Sequence, residues 1–229
     1  MEAQKADRPM ALSYSRLSTF EQCPQKFDYL YVTRNVKDPG SDASRYGNRV
    51  HKSLEDYGRT GDPAALTIET RDFKPLVDSI RRMPGQKYYE LQMAVNHDCE
   101  PCDWKADDVW IRSIADVLVV NGKRAFCGDY KTGKIRDNPM QLQLFACMVF
   151  YLFPDVEEVK TSFLWLLHDF STPATYKRRH VELMWKNLSS RFTAVQDAVD
   201  LGLFITKPSP LCGWCPAKDF CPDAQRRRR

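Results

Sequence analysis

Four cysteines and one acidic-basic tripeptide are the residues of this chain whose types and spacing could do chemistry. Cys212, Cys215 and Cys221 follow a Cys-x2-Cys-x5-Cys spacing, and 188 residues separate Cys23 from Cys212. Three of the four precede a proline, in Cys23-Pro24, Cys215-Pro216 and Cys221-Pro222. Proline fixes the backbone beside a ligand and removes a competing N–H, a habit also seen after iron–sulfur ligands. Such a thiol set could hold an iron–sulfur cluster or zinc, although zinc usually takes two paired Cys-x2–4-Cys knuckles. Between the cysteines lies Asp129-Tyr130-Lys131, and upstream Asp116 interrupts the apolar run Ile114-Ala115-Asp116-Val117-Leu118-Val119. An acid inside an apolar strand is costly unless it is paired or metal-bound. Two carboxylates and an amine suit Mg²⁺ or Mn²⁺, hard cations that prefer oxygen ligands and keep open positions. That combination polarises a phosphodiester and offsets charge building on its oxygens.

A hairpin must position these groups. Val109 to Val120 and Lys123 to Tyr130 read as strands around Asn121-Gly122, a strong two-residue turn signal. With that turn, Val120 pairs with Lys123 and Asp116 lies opposite Cys127. Asp129 then lies diagonally beyond on the same face, about 7–8 Å away, and Lys131 shares its facing. From Lys87 the period is two, which predicts a preceding strand with Glu90 on its wetter side. A short helix capped by Ser15 or Ser18 runs toward Cys23, with a further turn through Phe27, Leu30 and Tyr31. Asp38-Pro39-Gly40-Ser41 reads as a loop. Helices follow over Ala43 to Tyr57, ended by Gly58 and carrying His51, and over Phe73 to Met83. His97 to Asp107 is a polar loop. Asn138 to Phe153 is an apolar helix, Val159 to His168 a buried strand, and Glu182 to Leu201 a helix ended by Gly202. Helices before, between and after the strands predict an α/β fold, a mixed sheet covered on both sides. No repeat or linker interrupts residues 12–222, so one domain is expected there, with 1–11 and 223–229 flexible.

Composition narrows the classes. The 229 residues suffice for a well-buried core. The longest apolar candidate, Leu144 to Phe153, falls well short of the roughly 20 residues of a membrane span. Met1 to Pro9 is polar and charged, unlike a signal or transit segment. A reducing, cytoplasmic setting is therefore expected, where eight cysteines favour metal ligation over disulfides. The net charge of +4 is mild. Local basic runs stand out more: Lys131, Lys134 and Arg136, then Lys177-Arg178-Arg179, then Arg226 to Arg229. Cys99-x2-Cys102 reads as two incidental loop thiols, and Cys127 and Cys147 as small core residues.

Taken in order, these parts resemble the PD-(D/E)XK nucleases. Within them they resemble the RecB-like branch that carries an iron–sulfur cluster, including CRISPR-associated RecB-like exonucleases, phage-encoded relatives and the AddB nuclease domain. The resemblance rests on Ser15 to Pro24 around the first cysteine, Gly47-x3-His51 and Asp116 in its strand. It continues through Gly128-Asp129-Tyr130-Lys131-Thr132-Gly133, Gln141 and the three-cysteine tail. It implies a restriction-endonuclease-like core. The metal ligands would be His51, Asp116, Asp129 and the Tyr130 backbone carbonyl, and the catalytic lysine Lys131. Glu90 resembles an acid that often supports this site, and is as readily a solvent-facing strand glutamate. Gln141 matches the glutamine of a Gln-x3-Tyr element whose tyrosine is here Phe145. A 4Fe–4S cluster on Cys23, Cys212, Cys215 and Cys221 would clip distant segments together. The implied activity is metal-dependent exonuclease action on single-stranded or frayed DNA ends. Its setting would be recombination, repair or phage DNA processing in a bacterial or phage-infected cytoplasm, with recombination or replication proteins as partners. The alternative is a non-catalytic DNA-end-binding module with iron–sulfur or zinc.

Overall fold

The computed structural model describes residues 10–136 and 138–226. The elements are α1 (Tyr14–Gln22), α2 (Pro24–Phe27), α3 (Asp42–Thr60), α4 (Lys74–Arg81), β1 (Gln86–Val95), β2 (Ile111–Asn121) and β3 (Arg124–Lys131). They continue with α5 (Pro139–Leu152), β4 (Glu158–Trp165), β5 (Phe170–Lys177), α6 (Val181–Leu201) and α7 (Pro222–Arg226). The chain falls into two compact units. Of the described residues, the first comprises Ser41–Lys186 with Met10 and Ala11; the second comprises Leu12–Gly40 and residues 187–226.

The first unit is a five-stranded sheet in the order β1-β2-β3-β4-β5. Only β3 and β4 pair in parallel. That makes the sheet mixed, as expected. Helix α3 buries Val50, Leu54 and Tyr57, one stripe at helical spacing. This stripe joins Val77 and Ile80 of α4 against Val117, Val119, Tyr130 and Leu164 of the sheet. Helix α5 contacts all five strands and is buried from Leu144 through Phe150 without a break, so it shows little amphipathic pattern. Arg178 closes its far end. The guanidinium donates to the carbonyls of Phe150, Phe153 and Val156 at 2.6–3.0 Å, satisfying the orphan carbonyls of a helix end. The middle residue of the Lys177-Arg178-Arg179 run is thus a cap and not a solvated charge.

Several boundaries differ from the sequence reading for local reasons. Helix α3 runs through Gly58 and stops at Gly61, whose φ of +73° is left-handed. Gly58 serves close packing instead: a Cβ there would sit 2.4 Å from the Tyr89 ring. Ser13, not Ser15 or Ser18, caps α1. The strand expected over Val159 to His168 ends at Trp165, and Leu166–His168 instead turns the chain into a further strand, β5, paired with β4. The β2–β3 turn consists of Gly122 and Lys123, closed by the Asn121–Arg124 pair. Gly122 has φ +54° and Lys123 is not in the left-handed region, which is the II′ pattern with glycine first.

In the second unit α1, α2 and the segment after α6 pack through Phe27, which meets Phe20, Tyr31 and Phe204. Asp223 to Arg226, expected to be flexible, belong to α7, and Ala11 is buried beside Ala94 and Val109. Residues 1–9 and the arginines 227–229 lie outside the described residues. No helix is long and apolar enough to cross a membrane among the described residues.

Candidate metal centre

The shifted turn decides the site. β2–β3 pairing ends at Val117–Gly128, and one step further in that register Asp116 stands across from Asp129 and not Cys127. The two acids are therefore directly opposed on one face, closer than the diagonal arrangement expected. Gly128 allows this approach, because a Cβ would meet Val117 Cγ1 at 2.9 Å and Leu164 Cδ1 at 3.0 Å. Past the last pair the Asp116 carboxylate enters the ladder. Its Oδ2 accepts the Tyr130 N–H at 2.5 Å, and its Oδ1 lies 3.0 Å from His51 Nδ1. His51 comes from α3, one turn after Gly47, where a Cβ would stand 3.3 Å from Thr132 Oγ1. The Gly47-x3-His51 spacing lets the end of β3 come close to the helix just below the imidazole.

Glu90 completes the group. Among the described residues, one set of three His, Cys, Asp or Glu side chains brings a ligand atom of each within 4.8 Å of the others: His51, Glu90 and Asp116. Glu90 has φ +49°, a left-handed conformation that costs a non-glycine residue about 1–3 kcal/mol and clusters at functional positions. Sequence reasoning gave it only a supporting place. The missing signal was the register of β1 on β2, which nothing in the chain before the hairpin reveals.

Asp129 lies beside this trio, outside its radius. Its Oδ2 is 2.5 Å from Lys131 Nζ, and its Oδ1 accepts from Gln141 Nε2 at 3.2 Å. Lys131 also donates to Gln141 Oε1 at 3.4 Å and stands 4.9 Å from the Phe163 ring centroid. Gln141, at the start of α5, thus bridges the acid and the amine. Phe145, one turn on, is buried at 2% exposure and is core.

Three carboxylates gather against one ammonium and one imidazole. Burial, then the Asp116 charge, pushes Glu90 up to about 7, with His51 opposing. Burial and Asp116 likewise push Asp129 up to about 6 against the pull of Lys131. For His51, burial favours the neutral ring, yet the hydrogen bond and charge of Asp116, with Asp129 and Glu90, raise it overall. A divalent cation would relieve this repulsion, and carboxylates with one imidazole suit Mg²⁺ or Mn²⁺.

The four predicted cluster cysteines share one place in the second unit. Cys23, Cys212, Cys215 and Cys221 line one cavity of about 210 Å³. The Lys207 N–H points at Cys23 Sγ at 3.5 Å and the Ser209 N–H at Cys212 Sγ at 3.3 Å; the Ala217 amide bonds Cys215. Cys99 and Cys102 diverge. The first faces Tyr151 and Trp185, and the second packs with Ala94 and Val109. Cys127 and Cys147 are fully buried, as expected of core thiols.

No curated protein matches the sequence significantly. A Eubacterium rectale protein provisionally named an exonuclease has a similar fold, with TM-score 0.51 and 11% identity, covering 100% of this chain and 94% of its own. The structure of the protein SSO0001 aligns at TM-score 0.44 and 14% identity, over 97% of this chain and 90% of its own. The sequence profile of the PD-(D/E)XK nucleases matches residues 11–222. With its Asp-x-Lys strand, mixed sheet and acid-lined centre, the chain belongs to the PD-(D/E)XK nuclease superfamily.

Proposed function

We propose that the chain is a divalent-metal-dependent deoxyribonuclease that degrades DNA from single-stranded or frayed ends. The observation that carries this reading is the convergence of His51, Glu90 and Asp116 beside the Asp129–Lys131 pair. His51, Glu90, Asp116 and Asp129, with the Tyr130 carbonyl, would hold Mg²⁺ or Mn²⁺. Such an ion polarises the phosphodiester and neutralises charge as the bond breaks. Lys131 orients the attacking water or meets the developing phosphoryl charge. Gln141 fixes Lys131 and Asp129 relative to each other through its two hydrogen bonds. The similarity in fold to a protein provisionally named an exonuclease supports action at ends. Processing in recombination, repair or phage DNA metabolism fits that activity.

The same reading gives the four cysteines a 4Fe–4S cluster. Three backbone N–H groups aimed at the sulfurs suit thiolates bearing negative charge. Zinc usually takes two paired Cys-x2–4-Cys knuckles, whereas here 188 residues separate Cys23 from the other three.

The test is a time course on end-labelled single- and double-stranded oligonucleotides with Mg²⁺, Mn²⁺ or EDTA, beside Lys131→Ala. Metal-dependent shortening from an end, lost in the variant, supports the proposal. Binding without cleavage in every condition would leave a DNA-end-binding module.

A further inference from the structure

The sheet face that carries Asp129 and Lys131 continues across two more strands and ends on an exposed aromatic ring. Lys131 pairs with Trp165 of β4, and Trp165 pairs with Phe170 of β5. Directly opposed residues project from the same face, so Lys131, Trp165 and Phe170 form one row, and Asp129, Phe163 and Thr172 the next. With strands about 4.8 Å apart, Phe170 starts about 10 Å from Lys131, Cα to Cα.

The inner residues of these rows are closed to solvent: Phe163 is 1% and Trp165 4% exposed. The outer end is open. Phe170 is 52% exposed and Leu167, on the same hairpin tip, is 55% exposed. Leu167 lies in the 3₁₀ turn Leu166–His168, and Phe170 opens β5 just after Asp169, whose φ is +45°. Trp165 beneath is tethered by its Nε1–H to Thr172 Oγ1 at 2.8 Å. A half-exposed phenylalanine at a hairpin tip, in line with a lysine beside paired acids, offers a flat apolar surface. Lys134 and Arg136 are exposed just after β3 and provide charge for a phosphate backbone.

We infer that Phe170 stacks on an unpaired base of the nucleotide adjoining the phosphodiester held at Lys131. The inference rests on the nuclease reading above and deepens it. A base inside a duplex already has both faces covered by its neighbours, so this surface selects a strand unstacked at that nucleotide. Base–aromatic stacking tolerates any sequence because every base has a π-face.

The experiment uses the full chain with Mn²⁺ and labelled single strands, either intact or carrying one abasic site moved stepwise past the cleaved bond. Wild type should lose roughly tenfold in kcat/KM when the abasic site occupies one particular position. Phe170→Ala should lose a similar factor on intact strands and no longer respond to the abasic position, while Phe170→Trp restores both behaviours. Equal kcat/KM for Phe170→Ala and wild type on intact strands overturns the stacking role. So does a Phe170→Ala protein that keeps the wild-type response to the abasic position. In either case the nuclease reading stands. A wild type that cleaves nothing with Mn²⁺ overturns both.

Discussion

Glu90 and Asp116 face each other across the one pair that the β1–β2 ladder skips. Pairing runs from Gln86–Val120 through Tyr89–Val117 and resumes at Leu91–Ala115 in the same register. The gap is a change of backbone conformation at Glu90, not an inserted residue. This turns a strand glutamate toward His51 and Asp116.

Two opposed effects follow for Glu90→Gly. The substitution removes a desolvated carboxylate beside Asp116 and a left-handed conformation that glycine adopts freely. The metal-free protein should melt at higher temperature, by the equivalent of about 1 kcal/mol. Cleavage should fall by at least ~10-fold as a ligand is lost. A drop in melting temperature would mean that Glu90 holds the sheet together and stores no strain.

Stability should depend on pH in a direction set by the raised carboxyls. Burial and the Asp116 charge lift Glu90 from 4.5 to about 7 and Asp129 to about 6. A group whose pKa rises on folding stabilises the fold below its unfolded pKa, and that contribution is lost as pH rises through the folded pKa. The net rise at His51 acts in the same sense. Metal-free protein should therefore lose stability between pH 4.5 and about 7. Mn²⁺ competes with these protons, so its stabilising effect should be larger at about pH 8 than at about pH 5. Thermal melts with and without Mn²⁺ at the two values test this; a metal effect independent of pH would remove Glu90 and Asp129 from the cation site.

Gln141→Ala should separate positioning from binding. Losing its bonds to Asp129 and Lys131 leaves the acid and amine paired but free to reorient. We expect kcat to fall about 10–100-fold with the fold and melting temperature little changed. Gln141→Glu should not rescue it, because Glu lacks the Nε2 donor to Asp129. Recovery of wild-type kcat in Gln141→Glu would argue that the hydrogen bond to Lys131 alone matters.

Gly58→Ala tests the packing that made the sequence misleading. Alanine gains about 1 kcal/mol over glycine in a helix, yet here its Cβ falls 2.4 Å from the Tyr89 ring. Overpacking of this kind costs about 1–3 kcal/mol, so a net loss of melting temperature is expected. A gain would show that Tyr89 moves aside easily.

Cys212→Ser should cost the protein stability before activity, if the four thiols share a cluster that closes a long loop. Brown colour and stoichiometric iron and sulfide in wild type, lost in the variant with a lower melting temperature, are the expected results. Zinc without iron in wild type would refute the cluster.

The sequence alone marked Asp116, Asp129 and Lys131 as candidates and determined most of the elements that carry them. An acid in an apolar strand, Asp129-x-Lys131 and the glycine-punctuated hairpin announce themselves because burying a charge in such a run makes sense only with a partner. The apolar helix over α5 and the amphipathic α3 were legible for the same reason: their composition records how many sides are buried. Tertiary structure decided what composition cannot encode. A two-residue turn can start at Asn121 or Gly122 with nearly the same local signal, and that single step moves Asp116 from Cys127 to Asp129. Gly58 reads as a helix stop until Tyr89 is seen against it, and β5 alternates in burial but is hidden in the sequence by Pro173, which reads against a strand. Glu90 enters the centre only through its conformation in a paired sheet. Register and close approach arise from contacts between segments far apart in the chain, so no local stretch of residues carries them.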